Sequence, residues 1–168
     1  MIHNQKLNQY LKIIIFSLLA TVCLTALLQK NLLIADTIEA VDVDSLKKEI
    51  ADSKAEMLIV DFWATFCDHC RKQAPLFSNI YKKYKPEELS IIGVSFDFDK
   101  KKLKRFIDKT GIKFPVYLAE EDVSFHYNIS SIPTMQIYDR DRNLVRSHIG
   151  IVDEEEITQT IESILRVK

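Results

Sequence analysis

Two cysteines, Cys67 and Cys70, are separated by two residues and follow an apolar run that ends at Ala64. At the start of a helix, this spacing brings the two sulfurs within disulfide reach. Such a pair can exchange electrons reversibly with another disulfide. Cys67 is predicted to be the attacking sulfur, because the unpaired N–H groups of a helix amino terminus favour its thiolate. Cys70, one turn further in, is predicted to be less exposed and to act as the resolving thiol.

The same residues allow other interpretations. Cys67 and Cys70 could be two buried packing residues, or they could bind a metal with His69 as a third ligand. A closed zinc site needs four ligands, and the sequence has no second cluster of Cys and His. A module that binds Cu(I) or senses redox state through these cysteines stays open as an alternative. We expect no resident metal and no cofactor.

Asp61 lies within the apolar run, where a carboxyl group is costly unless it has a task. Burial would raise the pKa of Asp61, and an acid behind the dithiol could accept the proton that Cys70 loses. The alternative is a strand-end aspartate that is satisfied by backbone donors.

The two residues between the cysteines are expected to act in opposite directions on the redox potential. A charged Asp68 disfavours the Cys67 thiolate by about 1 to 3 kcal/mol, and a protonated His69 favours it by a similar amount. An oxidising centre needs a strongly stabilised thiolate, which Asp68 opposes. The pair therefore predicts a reductase of moderate potential.

The elements that would position these residues alternate between strand and helix, which predicts an α/β fold with parallel strands and flanking helices. A polar turn at 139–143 predicts a closing hairpin, and Asp153 with Glu156 predicts a capping box for the last helix. The predicted strands are 57–64, 89–96, 114–118, 134–138 and 144–149, and the predicted helices are 42–55, 67–84, 100–110, 122–127 and one after Asp153. The basic run 100–105 is predicted to be a solvated helix face in preference to a docking patch.

The first part of the chain carries a run of sixteen uncharged residues, 13–28, with Lys6 and Lys12 before it. This run covers about 24 Å as a helix, close to the span of a bilayer core. The small residues of a cleavage site are a poor match, which favours an uncleaved signal anchor over a cleaved signal peptide. Cys23, which follows the bulky Val22, is predicted to be an apolar membrane residue and not a lipid-attachment site.

The position of the lysines predicts a cytoplasmic tail at 1–12, an anchor at 13–28, a linker at 29–39 and an extracytoplasmic domain at 40–168. Length and composition fit one globular core, since the 168 residues are 47% hydrophobic and 28% charged. A formal net charge of −1 gives no reason to expect a nucleic-acid partner. The part after the anchor has only Cys67 and Cys70, so their pair is a reactive centre and not a structural staple.

The run from Asp61 to Pro75 resembles the active-site signature of the thioredoxin superfamily, and the segment 132–134 resembles its cis-proline loop. The order of motifs over about residues 40–168 is most similar to the TlpA/ResA-like branch of membrane-anchored thiol-disulfide oxidoreductases. The resemblance implies a thioredoxin-like fold with a central mixed sheet. It also implies a proton-accepting role for Asp61, a cis bond between Ile132 and Pro133, and a place for Trp63 in the active-site signature. Phe66 departs from the tryptophan usual before the first cysteine.

The resemblance also implies partners and a location. It predicts reduction of disulfides in extracytoplasmic proteins, with apocytochrome c as one candidate substrate, and electrons drawn from a membrane donor. The domain would lie on the outer side of a bacterial cytoplasmic membrane, or in the periplasm if the leading segment is cleaved. The backbone of Ile132 would pair with an extended substrate peptide. A disulfide oxidase or isomerase is the alternative within the same enzyme class.

Overall fold

A computed structural model describes residues 15–19, 21 and 38–166 of the chain. It divides into two compact units, Met1–Thr37 and Ile38–Lys168. In the first unit, residues 15–19 and 21 are helical, and the Thr21 hydroxyl donates to the Leu18 carbonyl at 2.8 Å. Within the described ranges, no helix has both the length and the apolar character needed to span a membrane. Most of the predicted anchor, 13–28, lies outside the described residues, as do Cys23 and most of the predicted linker.

The second unit is built on one six-stranded sheet. The strands are β1 (Ala40–Val41), β2 (Met57–Trp63), β3 (Leu89–Ser95), β4 (Val116–Ala119), β5 (Thr134–Tyr138) and β6 (Leu144–Ile149). Their spatial order is β1-β4-β3-β2-β5-β6. The first four strands in that order are parallel to one another, whereas β5 is antiparallel to β2 and β6 is antiparallel to β5. The predicted mixed sheet with a closing hairpin is therefore confirmed.

Five helices flank the sheet of this unit. They are α1 (Val43–Asp52), α2 (Asp68–Lys83), α3 (Lys100–Thr110), α4 (Glu121–His126) and α5 (Glu154–Arg166). Side-chain oxygens of Asp42 and Asp99 accept backbone N–H bonds at the first turns of α1 and α3, which satisfies donors that the helix itself cannot pair. Gly111 ends α3 in the left-handed conformation that glycine adopts without strain.

The predicted capping box at the last helix forms only in part. Asp153 Oδ1 accepts the Glu156 backbone N–H at 2.7 Å. The Glu156 carboxylate instead accepts from Arg146 on β6, at 3.2 Å. The reciprocal half of the box is replaced by a link between the last helix and the edge strand, because a basic side chain lies within reach of the carboxylate.

Successive side chains of β2 point to opposite faces of the sheet. Leu58, Val60 and Phe62 join the core cluster that contains residues of α1 and α4. Met57, Ile59 and Trp63 join the cluster that contains residues of α2, α3 and α5. Asp61, two residues from both Ile59 and Trp63, therefore lies on the α2 face of the central strand. That face also holds Cys70.

Candidate active site

The two cysteines lie where β2 passes into α2. Cys67 is the amino-terminal cap of α2, and its Sγ accepts the Cys70 backbone N–H at 3.2 Å. The two residues form a disulfide, with 5.3 Å between their Cα atoms. Cys67 is half-buried, whereas Cys70 is 1% exposed. This asymmetry agrees with the predicted order, because an incoming sulfur can reach Cys67 but not Cys70.

The position of Cys67 favours its thiolate in the reduced protein. A helix amino terminus carries the positive end of the backbone dipoles, and it directs unpaired N–H groups at the sulfur. A sulfur that accepts an N–H bond there is a better anion and a better leaving group. The Cys67 sulfur is therefore suited both to attack a substrate disulfide and to leave when a mixed disulfide is broken.

The loop before β5 lies beside this sulfur. The Ile132–Pro133 peptide bond is cis, as expected, and the Ile132 carbonyl oxygen lies 3.7 Å from Cys67 Sγ. The Gly150 N–H donates to the Pro133 carbonyl at 2.8 Å, which ties the loop to the end of β6. The backbone of Ile132 is thus placed next to the point where a substrate sulfur would bind.

Asp61 is buried on the face that α2 covers. It is 1% exposed, and loss of solvation by burial raises its pKa to about 7, against a smaller lowering effect from the Gln73 side chain. Gln73 Nε2 donates to Asp61 Oδ1 at 3.2 Å. Because Gln73 lies one helical turn beyond Cys70, the carboxyl group contacts the same helix that carries the resolving thiol. A carboxyl with this pKa can exchange a proton near neutral pH.

Gln73 is a site residue that the sequence reasoning missed. Its Oε1 accepts the Val152 backbone N–H at 3.2 Å, so its amide joins Asp61 to the segment between β6 and α5. Because a backbone N–H can only donate, this bond fixes the amide orientation and leaves Nε2 as the donor to Asp61. The side chain is 2% exposed, and both of its polar ends are paired. The only sequence signal was a polar residue on an otherwise apolar face of α2.

Asp68 and His69 are both exposed, and Asp68 has a cationic partner. The Asp68 carboxylate forms an ion pair with Arg71 in the first turn of α2. Arg71 Nη1 also donates to the Thr65 carbonyl at 3.0 Å. The expected opposition of Asp68 to the Cys67 thiolate is therefore reduced by a cation that sequence reasoning left out. An aspartate and an arginine three residues apart on a helix were the available signal.

Asp97 is a third residue that sequence reasoning missed, after Gln73 and Arg71. Its carboxylate accepts from the Thr65 backbone N–H at 2.8 Å, from the Thr65 hydroxyl at 2.5 Å and from the Ser95 hydroxyl at 2.7 Å. All three residues are buried. The segment just before Cys67 is thus held from the end of β3 by Asp97 and from α2 by Arg71.

The two aromatic residues of the signature have different surroundings. Trp63 is fully buried, and its indole packs on the Phe106 ring with 5.5 Å between the centroids. A Cβ added at Gly93 would lie 3.0 Å from the indole nitrogen, so a glycine on β3 makes room for this ring. Phe66 is 53% exposed. The Trp63 indole can therefore affect the site through packing, whereas the Phe66 ring can contact a substrate.

A metal site was the other interpretation of the cysteines and His69. Across residues 15–19, 21 and 38–166, no group of three or more His, Cys, Asp and Glu side chains is placed to hold a metal ion.

Fold and site together define a thioredoxin-like protein with a thiol-disulfide exchange centre at a helix amino terminus. The sequence profile of the AhpC/TSA family matches residues 34–147, and the chain belongs to this family.

Individual relatives agree with this assignment. The chain is 29% identical over 124 residues to the thiol-disulfide oxidoreductase ResA of Bacillus thuringiensis, a match that covers 73% of this chain and 72% of the relative. It is 27% identical over 119 residues to the thioredoxin-like protein YneN of Bacillus subtilis, covering 69% of each. The thioredoxin domain of a thiol-disulfide oxidoreductase from Bacteroides vulgatus superposes with a TM-score of 0.61 at 25% identity, over 68% of this chain and 83% of that domain. The resemblance drawn from the sequence is confirmed.

Proposed function

We propose that this chain is a thiol-disulfide oxidoreductase that reduces disulfides of extracytoplasmic proteins through Cys67 and Cys70. The observation that carries the proposal is the asymmetric pair itself, with a half-buried sulfur at a helix amino terminus and a shielded sulfur one turn behind it. The similarity to the thiol-disulfide oxidoreductase ResA supports the same chemistry.

The proposed reaction has two exchange steps. The Cys67 thiolate attacks one sulfur of the substrate disulfide, which forms a mixed disulfide and releases the first substrate thiolate. Cys70 then loses its proton and attacks Cys67 Sγ, which releases the second substrate thiolate and leaves the Cys67–Cys70 disulfide. The substrate gains two electrons, and the protein loses two. A donor dithiol, for which we propose a membrane protein, restores the reduced pair.

Asp61 is proposed to accept the proton of Cys70. Its pKa of about 7 supports this role, because the carboxylate is available as a base near neutral pH and the acid forms without a large cost. Gln73 is proposed as a positioning residue, since it donates to the carboxyl group and is itself held by the Val152 backbone.

The direction of electron flow is the part of the proposal that rests on the resemblance to TlpA/ResA-like proteins. The Asp68–Arg71 pair weakens the electrostatic reason for a reductase that the sequence suggested. A titration of the dithiol against glutathione buffers decides the direction. We expect a reduction potential well below that of protein disulfide isomerase, about −180 mV, and a value at or above it would identify an oxidase or isomerase instead.

The location is proposed from sequence alone. An uncleaved anchor at 13–28 would hold the domain 40–168 outside the cytoplasm, since the flanking lysines favour a cytoplasmic amino terminus. A reporter that is active only outside the cytoplasm, fused after residue 168, is expected to be active. Recovery of that activity in the soluble fraction would indicate a cleaved signal peptide.

The enzymatic proposal is tested with a disulfide-linked peptide as substrate. Cys67→Ser is expected to abolish turnover, and Cys70→Ser is expected to trap the mixed disulfide on Cys67. Cys23→Ser, which removes the third cysteine of the chain, serves as the matched control and is expected to keep full turnover. Stoichiometric Cu(I) binding without any turnover of the unaltered chain would support the binding-module alternative and contradict the proposal.

A further inference from the structure

A basic groove lies next to the attacking sulfur. It encloses about 670 Å³ and is lined by Thr65, Phe66, Arg71, Lys102, Arg105, Phe106 and Lys109. Phe66 directly precedes Cys67, and Arg71 lies in the helix that Cys67 caps. The groove has four cationic side chains, two aromatic rings and no carboxylate in its lining.

The cations of the groove that belong to α3 form one stripe. Lys102, Arg105 and Lys109 are spaced three and four residues apart, which places them on the same side of a helix. Within the described part of the chain none of the three has a carboxylate within ion-pair distance, whereas Lys104 pairs with Asp108. Arg105 is close enough to the cap residue Asp99 to contribute to lowering the pKa of that carboxyl group. The helix carries six cations and one carboxylate in a chain of net charge −1. These three side chains are solvent-exposed, as expected of a solvated helix face, and they also line the groove beside Phe66.

An exposed aromatic pair separates this groove from a region of opposite charge. Phe66, which is 53% exposed, stacks on Phe98, which is 97% exposed, with 6.2 Å between the ring centroids. Phe98 also lines a second cleft, whose rim includes Glu120, Glu121 and Asp122. A negatively charged segment near Cys67 would therefore be attracted on the α3 side and repelled on the other.

We infer that the basic groove binds an acidic segment of the disulfide-bearing protein, next to the cysteine that Cys67 attacks. This inference rests on the proposed function and names its class of substrate. From Lys102 to Lys109 the helix rises about 10 Å, which equals about three residues of extended chain. A tract of three acidic residues close to the substrate cysteine therefore matches the stripe, with the aromatic rings covering its apolar atoms.

The electrostatics predict how such a segment would act. Exposed charges of opposite sign mainly raise the rate of productive encounter, and salt screens them. The preference should therefore appear in kcat/KM and weaken as ionic strength rises. The preference for the acidic segment should not change over the pH range in which Asp61 titrates.

The experiment uses the reduced full-length chain and three disulfide-linked peptides that differ only in a three-residue tract beside the cysteine. The tracts are all Glu, all Gln or all Lys. We expect the Glu peptide to be reduced about tenfold faster than the Gln peptide, and the Lys peptide to be reduced more slowly than either. Raising the salt from about 0.05 M to about 0.5 M should remove most of the difference.

Two double variants distinguish an effect of the groove from an effect of the net charge of the protein. Lys102→Gln/Lys109→Gln is expected to lose most of the Glu-over-Gln preference. Lys100→Gln/Lys101→Gln removes the same charge from the same helix outside the groove and is expected to keep the preference. Equal loss of the preference in both variants, or equal rates for the three peptides, would overturn the proposal that the groove binds an acidic segment. Turnover of the Gln peptide would still support the proposed oxidoreductase activity in that case. Failure to reduce any peptide would overturn both proposals.

Discussion

At the scale of single residues, Arg71 is the side chain that most changes the electrostatics of Cys67. It pairs with Asp68, the acidic residue between the two cysteines, and it donates to the Thr65 carbonyl two residues before Cys67. Because a paired carboxylate has a weaker field than a free one, Asp68 opposes the thiolate less than its position in the sequence suggests. The helix amino terminus and the Cys70 N–H then dominate the surroundings of the sulfur.

A double-mutant cycle tests the Asp68–Arg71 pair. Arg71→Gln leaves Asp68 unpaired beside the sulfur and should lower the alkylation rate of reduced Cys67 by iodoacetamide at pH 7 by a factor of about three to ten. Asp68→Asn leaves Arg71 unpaired and should raise the rate. The double variant should return close to the original rate. Unchanged alkylation rates in both single variants would show that neither charge of the pair acts on Cys67.

Sequence reasoning at this scale predicted the two cysteines and the buried carboxyl group of the site, but not the residues that hold them in place. Cys67, Cys70 and Asp61 were each unusual in type or place, and burial and hydrogen bonds agree with their expected positions. Gln73 was not identified, because its role depends on the Val152 N–H, which is 79 residues away in the chain. A side chain that joins two distant segments leaves no local pattern in the sequence.

At the scale of secondary-structure elements, the turn from β2 into α2 is held by a buried carboxylate from the end of β3. Asp97 accepts two hydrogen bonds from Thr65 and one from Ser95. The Phe96 N–H also donates to the Trp63 carbonyl at 2.9 Å. These bonds fix where the chain leaves the sheet, and they therefore fix the position of the α2 amino terminus that carries Cys67.

Two variants of Asp97 test this role by measuring the free energy of unfolding. Asp97→Ala leaves buried donors of Thr65 and Ser95 without a partner and should destabilise the protein by about 3 kcal/mol. Asp97→Asn keeps one acceptor oxygen for two of the donors, and its amide can donate to the Thr65 hydroxyl, so it should cost clearly less. Equal losses in the two variants would indicate that the three hydrogen bonds are not what stabilises this turn.

The pattern of elements was predictable because each element carries its own periodicity. Alternating strands and amphipathic helices predict the parallel sheet, and the polar turn before Leu144 predicts the closing hairpin, as the structure confirms. The two-residue strand β1 was missed, because Ala40 and Val41 carry no pattern and pair with β4 only in the folded protein. The ends of several elements differ by one or two residues, since caps such as Cys67 lie just outside the regular helix.

At the scale of the whole molecule, the fold collects the site from five separated segments. The residues come from β2, the start of α2, the end of β3, the loop before β5 and the segment between β6 and α5. β2 is a central strand, and three helices cover the face that carries Asp61. Asp61 therefore lies among the apolar side chains of this core cluster. The stability of the entire domain is therefore linked to the ionisation of this one carboxyl group.

The sign of that linkage follows from the two pKa values of Asp61. Its ordinary value is 3.8, and burial raises the pKa in the folded protein to about 7. Below about pH 4 the group is protonated in both states, and burial costs little. Between the two values the unfolded chain ionises while the folded protein stays protonated, so stability falls as pH rises. Above about pH 7 the loss is complete, and it amounts to about 4 kcal/mol.

Asp61→Asn should remove this pH dependence. In denaturant unfolding of the oxidised full-length chain, the variant should gain about 4 kcal/mol relative to the unaltered protein as the pH rises from about 4 to about 8. Gln73→Leu, which keeps Asp61 but removes the hydrogen bond that lowers its pKa, should extend the fall in stability beyond pH 7. A constant difference between Asp61→Asn and the unaltered protein across that range would mean that Asp61 is ionised in the folded state throughout. Such a carboxyl group could not take up a proton from Cys70 near neutral pH, and the proton acceptor would have to lie elsewhere.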